Sequence, residues 1–360
     1  MKEQTIIWLC AAYRLDGVLS MTKTKRMILF AACGVILLGV LAAVLFRFVI
    51  PKETGICGDT ATYKIVGDTL YIEGSGDMHN YRDPDSGTHR NLEDAPWWEN
   101  RNSIRKIVIG EGIVTLGFNA FREMENLETV EAADTVDTVH WWTFEDCTSL
   151  VSFHGPGVIW VCPEAFKGCV SLKEFVGATG DGFLGSQFDE HAFHGCVSLE
   201  RVEMQNTAVF YDSAFEGCES LREVTCVLAY GVGKNSFADC SSLESFPLDR
   251  CRADTIENGA FKNCTSLTSI QLPNGATEVP INFFLGCTGL TEVTLPEGIV
   301  SVENNAFAHC TGIETLVLPS TVTEVHEGAF RGWTAEQTIV VTDPDILPEL
   351  AECEANIVTQ

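Results

Sequence analysis

An internal repeat limits this chain to very few folds. A motif of the form AF-x-x-C-x-S-L recurs ten times between residues 120 and 336, at intervals of 22–24 residues with one interval of 27. Internal periods of this length are typical of solenoids, in which each coil buries its apolar face only against the neighbouring coils. We therefore predict that the ten repeat phenylalanines form the structural core: Phe121, Phe144, Phe166, Phe193, Phe215, Phe237, Phe261, Phe284, Phe307 and Phe330.

Each repeat also contains a short apolar strand. After the phenylalanine comes an L-x-x-V-x-L pattern, as at Leu290, Val293 and Leu295, and Pro296 follows it. Alternation of this kind predicts a strand with its apolar side chains inward, and proline ends the strand because it has no N–H to donate. Stacked coils would align these strands in a parallel sheet of about eleven members, about 4.8 Å apart. The predicted fold class is therefore a mainly β solenoid with 22–24 residues per coil.

The repeat wording and its period resemble the BspA-like (bacterial surface antigen type) leucine-rich repeat. The resemblance covers about residues 101–342, and residues 51–100 look like the small β cap that often precedes such arrays; residues 343–360 would form a C-terminal tail. The resemblance implies an exported bacterial protein that works in adhesion or host contact. Members of this family share no catalytic residue that can be transferred to this chain.

The charge distribution separates the N-terminal region from the repeat. Residues 1–50 carry six Lys and Arg against two Asp and Glu, whereas the whole chain has a net charge of −27. An acidic chain lacks the basic surface that phosphate contacts need, so we predict no nucleic-acid partner. The acidic repeat and the basic N-terminal segment are expected to lie in different environments.

A membrane segment is predicted between these two parts. Residues 27–46 contain no charged side chain, apolar character continues to residue 50, and Lys23, Lys25 and Arg26 precede the run. About 20 helical residues span a bilayer core, and positive flanks stay in the cytoplasm. We expect a signal anchor at 27–50 in a bacterial cell membrane, a cytoplasmic segment at 1–26 and an extracellular part at 51–360. A cleaved signal peptide is the alternative, and residues 1–20 are consistent with a mis-assigned start.

Eight of the 15 cysteines lie three residues after a repeat phenylalanine. One interpretation is a ladder of disulfides or metal ligands. The other is a column of buried thiols that pack as small apolar residues. The second is favoured, because Met124 and Trp333 take the cysteine position in the end units and neither residue suits ligation.

The sequence offers little evidence for catalysis. No G-x-S-x-G motif occurs, and acidic pairs are too common in this chain to mark an active site. His191 and His194, three residues apart, suit a metal site weakly, and the interpretation of His194 as a solvated surface residue is favoured. We predict no enzyme activity, no cofactor and no metal, and keep a surface hydrolase as a remote alternative.

Two outward-facing sets of residues are candidate binding surfaces. Trp141, Trp142 and Trp160 fall at outward positions of neighbouring coils, where they suit stacking on a sugar or a peptide, or covering of the cap. Outward glutamates suit a basic partner or calcium, or simply a solvated face. We predict non-catalytic binding of an extracellular protein or glycan, with a structural spacer of the envelope as the alternative. The candidate glutamates are Glu174, Glu203 and Glu223.

Overall fold

The computed structural model describes residues 53–82, 92–179, 185–351 and 353–359. Short apolar alternations between turns match the two-residue period of a strand, and β structure accordingly dominates. The strands are β1 (Glu53–Ile56), β2 (Gly58–Val66), β3 (Thr69–Met78), β4 (Lys106–Ile109), β5 (Thr115–Leu116), β6 (Thr129–Ala132), β7 (Thr138–Val139), β8 (Ser152–His154), β9 (Trp160–Val161), β10 (Glu174–Val176), β11 (Ser186–Phe188), β12 (Arg201–Glu203), β13 (Thr207–Phe210), β14 (Glu223–Thr225), β15 (Leu228–Val232), β16 (Ser269–Gln271), β17 (Glu278–Val279), β18 (Glu292–Thr294), β19 (Ser301–Val302), β20 (Thr315–Leu318), β21 (Glu324–Val325), β22 (Thr338–Val341) and β23 (Asn356–Thr359). Short 3-10 helices are η1 (Trp98–Ser103), η2 (Leu248–Arg250), η3 (Ala253–Thr255) and η4 (Pro344–Leu350).

Each regular coil contributes one strand to each of two sheets. The first sheet continues in order through β4, β6, β8, β10, β12 and β14, and the second contains β5, β7, β9, β11, β13 and β15. These array strands are parallel, which confirms the stacking predicted from the period. Their register aligns the same repeat position from coil to coil, and one such buried row is Ile107, Val130, Phe153, Phe175, Val202 and Val224.

The ten repeat phenylalanines are buried and form one column of rings. Centroids of successive rings lie 5.0–6.3 Å apart. Trp97 extends the column at its N-terminal end, 5.4 Å from Phe121. Because a buried phenylalanine contributes about 1.5–3 kcal/mol, this column is a major apolar support of the stack.

The coil between Phe237 and Phe261 interrupts both sheets. It has Phe246 and Pro247 where other coils have an alternating strand, and η2 and η3 replace its two strands. Proline has no N–H to donate to the hydrogen-bond ladder, so the first sheet ends before this coil. The prediction of one parallel sheet of about eleven strands is therefore wrong. Beyond this coil the strands pair in smaller groups: β16 with β18, then β17, β19 and β21, then β20, β22 and β23.

Additional β structure lies at both ends of the array. β2 pairs in antiparallel with β1 on one side and with β3 on the other, and β3 then pairs in parallel with β4. Residues 343–360 were expected to be a tail, but they contain η4 and β23, which pairs in parallel with β22. Ile346 and Leu350 of η4 are buried. The reason is that the last coil exposes an apolar end, which the following segment covers.

The predicted membrane segment at residues 27–50 lies outside the described residues, as does the segment 1–26 before it. Between residues 53 and 359, leaving out 83–91, 180–184 and 352, no helix has the length and apolar character needed to cross a bilayer. The array and its two ends belong to one unit, Glu53–Gln360, which is distinct from Met1–Lys52.

Candidate functional site

The chain turns a corner at each repeat phenylalanine, and two residues set the geometry of this corner. One lies two positions before the phenylalanine and the other two positions after it, and both adopt a left-handed backbone, as at His191 (φ 57°) and Gly195 (φ 73°). This conformation turns the N–H of His191 toward the next coil, where it donates to the carbonyl of Asp212 at 3.0 Å. Glycine and asparagine, which tolerate positive φ best, occupy most of these positions. The backbone of the corner is therefore held in place, which sets the direction in which each side chain leaves it.

An aromatic cluster occupies this corner in the first two coils and consists of Phe118, His140, Trp141 and Trp142. The Trp141 ring stacks on Phe118 with centroids 5.4 Å apart and ring planes within 6°. Trp142 meets Trp141 edge-on at 5.7 Å, and His140 meets Phe118 edge-on at 4.0 Å. Trp141 is 39% exposed. The cluster thus presents a pre-arranged aromatic surface to solvent.

Trp142 has an unfavourable backbone conformation, with φ at 55°. A left-handed backbone costs an ordinary L residue about 1–2 kcal/mol, and such outliers concentrate at functional sites. Most other coils avoid this cost at the same position. The residues that they use there include Asn119, Asn235, Gly259, Asn282, Asn305 and Gly328.

His140 adds an uncharged ring to the cluster. Burial lowers the pKa of His140, and the carboxylate of Asp77 opposes this shift only in part. The imidazole is consequently neutral at neutral pH, and the cluster offers stacking faces with no formal charge. Sugars and peptide backbones pack well on faces of this kind.

Trp160 lies apart from the aromatic cluster. It is the first residue of β9 and is in register with Thr138, three residues before Trp141. Counted from the repeat phenylalanines, Trp160 lies three residues earlier in its coil than Trp141 does in the preceding coil. Trp160 is 44% exposed, and its Nε1 donates to Asp189 Oδ2 at 2.6 Å. Of the three predicted tryptophans, the structure therefore brings Trp141 and Trp142 into contact and places Trp160 elsewhere.

The three candidate glutamates lie on neighbouring strands of the first sheet, but a cation separates them. The register aligns Glu174 with Arg201 and Arg201 with Glu223. Glu203 lies two residues after Arg201 on the same strand. Arg201 forms an ion pair with Glu174. The acidic stripe is thus partly neutralised, because cross-strand neighbours of opposite charge attract.

The repeat cysteines form a column of hydrogen-bond donors. Each thiol donates to the carbonyl oxygen of the repeat phenylalanine one coil earlier, at 3.0–3.3 Å. The described cysteines are all free. The prediction of buried thiols is correct, but packing as apolar residues describes them incompletely. The column comprises Cys147, Cys169, Cys196, Cys218, Cys240, Cys264, Cys287 and Cys310.

Burial also keeps these thiols protonated, as donation requires. It raises the pKa of Cys287 to about 12 and that of Cys310 well above its ordinary value. In the last coil Trp333 replaces the cysteine, and its Nε1 donates to the carbonyl of Phe307 at 2.8 Å. The carbonyl of the repeat phenylalanine therefore accepts a side-chain hydrogen bond in the last coil as well, from a tryptophan instead of a cysteine.

Three side chains with metal-binding atoms come together farther along the array. His191 and His194 lie on one coil and Glu216 on the next, and their possible ligand atoms all lie within 4.8 Å of one another. His194 was expected to be solvated, but it is half-buried because the following coil packs against it. Burial lowers the pKa of His194, and Glu216 acts in the opposite direction.

Sequence reasoning did not identify Phe118 and His140 as members of the aromatic cluster. A signal for Phe118 was available, because it lies three residues before Phe121, as Trp141 lies three before Phe144. Equal offsets on successive coils place two side chains one above the other. Glu216 was not identified as a neighbour of His194 either, although each of the two residues directly follows its own repeat phenylalanine.

A comparison with solved structures finds leucine-rich repeat proteins that resemble this chain. A leucine-rich repeat protein from Bacteroides ovatus is 20% identical, covers 84% of this chain and 89% of its own, and has a TM-score of 0.40. One from Eubacterium ventriosum is 18% identical over 78% and 95%, with a TM-score of 0.33. A leucine-rich cell surface protein from Faecalibacterium prausnitzii is 16% identical over 86% and 96%, with a TM-score of 0.35. No curated protein sequence matches this chain significantly.

The family assignment rests on the repeat itself. The model of the BspA-type leucine-rich repeat region matches in six copies, over residues 97–222, 156–251 and 230–344. These matches cover more than half of the chain, and they coincide with the coils described above. The chain therefore belongs to the BspA-type leucine-rich repeat family.

Proposed function

We propose that this protein is a non-catalytic recognition protein of the bacterial surface, which binds an extracellular protein or glycan through the aromatic cluster. The observation that carries the proposal is the stack of Trp141 on Phe118, with Trp141 39% exposed. Exposed aromatic groups that are already held in place are unusual on a surface that only needs to be soluble. The solenoid fold of this family is typically non-catalytic.

The physical advantage of the cluster is pre-organisation. A tryptophan has two side-chain torsions, so little conformational entropy remains to be lost once its ring is fixed. Phe118 fixes the plane of Trp141, and Trp142 lies against its edge. A partner that stacks on Trp141 therefore gains most of the contact energy without ordering the site first.

The sequence of the N-terminal region supports placement at the surface. Residues 27–50 would anchor the chain as a signal anchor, with residues 1–26 inside and residues 51–360 outside. The basic residues Lys23, Lys25 and Arg26 support this orientation, because positive flanks stay in the cytoplasm. The acidic character of the remaining chain suits an exported, soluble domain.

A second candidate role, as a structural spacer of the envelope, is favoured by the first sheet. Ion pairs across neighbouring strands occupy part of its outer face, including Lys106 with Glu131 at 2.6 Å and Arg201 with Glu174. Glu203 and Glu223 remain available for a basic partner or calcium. The aromatic cluster distinguishes the two roles, because a spacer has no use for it.

A binding screen tests the proposal. The full-length chain, in a mild detergent, is applied to arrays of glycans and of extracellular matrix proteins, beside the variants Trp141→Ala and Tyr211→Ala. Tyr211 is 41% exposed and lies outside the aromatic cluster, so it controls for the loss of an exposed ring. We expect at least one ligand that the Tyr211 variant retains and the Trp141 variant loses. An absence of ligands, or equal binding by all three proteins, would contradict the proposal.

A further inference from the structure

His191, His194 and Glu216 converge because of the coil geometry. His194 and Glu216 share the same offset from their repeat phenylalanines, so they lie one above the other on successive coils. His194 Nδ1 lies 3.8 Å from Glu216 Oε2, and the rings of His191 and His194 are edge-on with centroids 5.3 Å apart. The three possible ligand atoms lie within 4.8 Å of one another.

We propose that these three side chains bind a divalent transition metal ion of the zinc class. Two imidazoles and one carboxylate are ligands that zinc, cobalt and nickel accept, whereas calcium and magnesium prefer oxygen ligands. Tetrahedral coordination needs the ligand atoms closer together than they are here. Small rotations about the side-chain torsions of these half-buried residues supply this movement, and the backbone of the two coils does not need to shift.

A second observation supports the site independently. Nδ1 of His194 is buried from solvent, and within the described part of the chain it has no hydrogen-bond partner. Its 3.8 Å separation from Glu216 Oε2 is too long for a hydrogen bond. Buried nitrogen atoms are normally satisfied, and a metal ion bound between the two groups would satisfy both.

The positive charge of Lys167 does not oppose the site strongly. Lys167 lies on the preceding coil, and its positive charge raises the cost of a second cation near His194. Its ammonium group is already paired with Glu164 and lies 3.7 Å from Glu145 Oε1. These two carboxylates neutralise the lysine locally, so the metal experiences little net repulsion.

Three protein ligands leave the fourth tetrahedral position open. Because the site lies at a half-exposed corner, that position is accessible to water or to a side chain of another molecule. The inference does not depend on the aromatic cluster, which is located on the first two coils.

Zinc and cobalt titrations of the full-length chain test the site. Accessible thiols are first alkylated under native conditions, so that they do not compete for the metal. Zn²⁺ binding is measured by calorimetry, and Co²⁺ binding by its visible absorption. The variants are His191→Asn, His194→Gln and Glu216→Gln, and asparagine is chosen because it tolerates the φ of 57° at residue 191. His326→Gln is the matched control, since His326 Nε2 also lies 3.5 Å from a glutamate, Glu303.

We expect one ion per chain, with an affinity that falls about tenfold or more in each site variant and is unchanged in the His326 variant. Bound Zn²⁺ should also slow diethylpyrocarbonate modification of His191 and His194 in the unmutated chain, a measurement that does not require any variant to fold. An unmutated chain that binds no zinc, or site variants with undiminished affinity, would overturn the proposal.

Discussion

The thiol of Cys310 donates a hydrogen bond to the carbonyl oxygen of Phe284, one coil earlier, at 3.0 Å. The backbone N–H of Cys287 donates to the same oxygen at 3.0 Å. Seven other cysteines repeat this contact, so one recurring motif position links every pair of adjacent coils from Phe121 to Cys310 by a side-chain hydrogen bond.

Replacing one of these thiols should distinguish donation from packing. Cys310→Ala removes the donor and leaves a small cavity, and we expect it to lower the free energy of unfolding by about 1–2 kcal/mol. Cys310→Ser keeps a hydrogen-bond donor, so its free energy of unfolding should lie closer to that of the unmutated chain. Urea unfolding of the three proteins provides the comparison. If alanine is tolerated better than serine, the thiol acts only as an apolar group.

The end of the array offers a stronger version of the same contact. Trp333→Phe keeps an aromatic ring but removes the bond from Nε1 to the Phe307 carbonyl, and we expect a loss of about 1–3 kcal/mol. Met124→Leu is the matched control, because Met124 takes the same motif position and a similar volume replaces it. Equal midpoints of thermal unfolding for the two variants would contradict the role assigned to Nε1.

The thiol column makes stability depend on pH in the alkaline range. Because burial raises the pKa of Cys287 from 9.0 to about 12, the folded chain keeps a proton that the unfolded chain releases above pH 9. Stability is therefore fully present below pH 9 and falls between about pH 9 and 12, by about 1.4 kcal/mol per pH unit for each such thiol.

Urea unfolding between pH 8 and pH 10.5 measures this slope. The variant Cys287→Ala should show a shallower decline than the unmutated chain, since one proton fewer is involved. Parallel declines in the two proteins would mean that other groups, and not this thiol, cause the loss.

The repeat was the part of the fold that could be predicted, because a period of 22–24 residues aligns equivalent side chains without further information. It predicted the column from Phe121 to Phe330 and the parallel strands. It could not predict the break at Pro247, where one coil departs from the pattern, or the thiol contacts, which depend on the backbone geometry of the corner.

The candidate site was less predictable, because it depends on register. Trp141 and Trp142 were identified as outward residues, but their separation from Trp160 follows from the alignment of β7 with β9. The convergence of Glu216 with His194 required the stacking of two coils. Sequence offsets carry this information only after the coil has been shown to stack in register.

We expect Trp142 to lower the free energy of unfolding and to strengthen ligand binding. Trp142→Asn replaces a bulky residue at φ 55° with one that tolerates this backbone, so the free energy of unfolding should rise by up to about 1 kcal/mol. Binding to any ligand of the aromatic cluster should weaken in the same variant. Thermal unfolding and binding measured on one preparation check both effects, and a variant that is less stable but binds normally would contradict the interpretation.

The most direct test of the recognition role is the dissociation constant of a ligand found on the arrays, measured by calorimetry. We predict that Trp141→Ala weakens binding about tenfold or more, which corresponds to about 1.4 kcal/mol, and that Tyr211→Ala leaves it unchanged. An unchanged dissociation constant in the Trp141 variant would show that the aromatic cluster is not the binding surface.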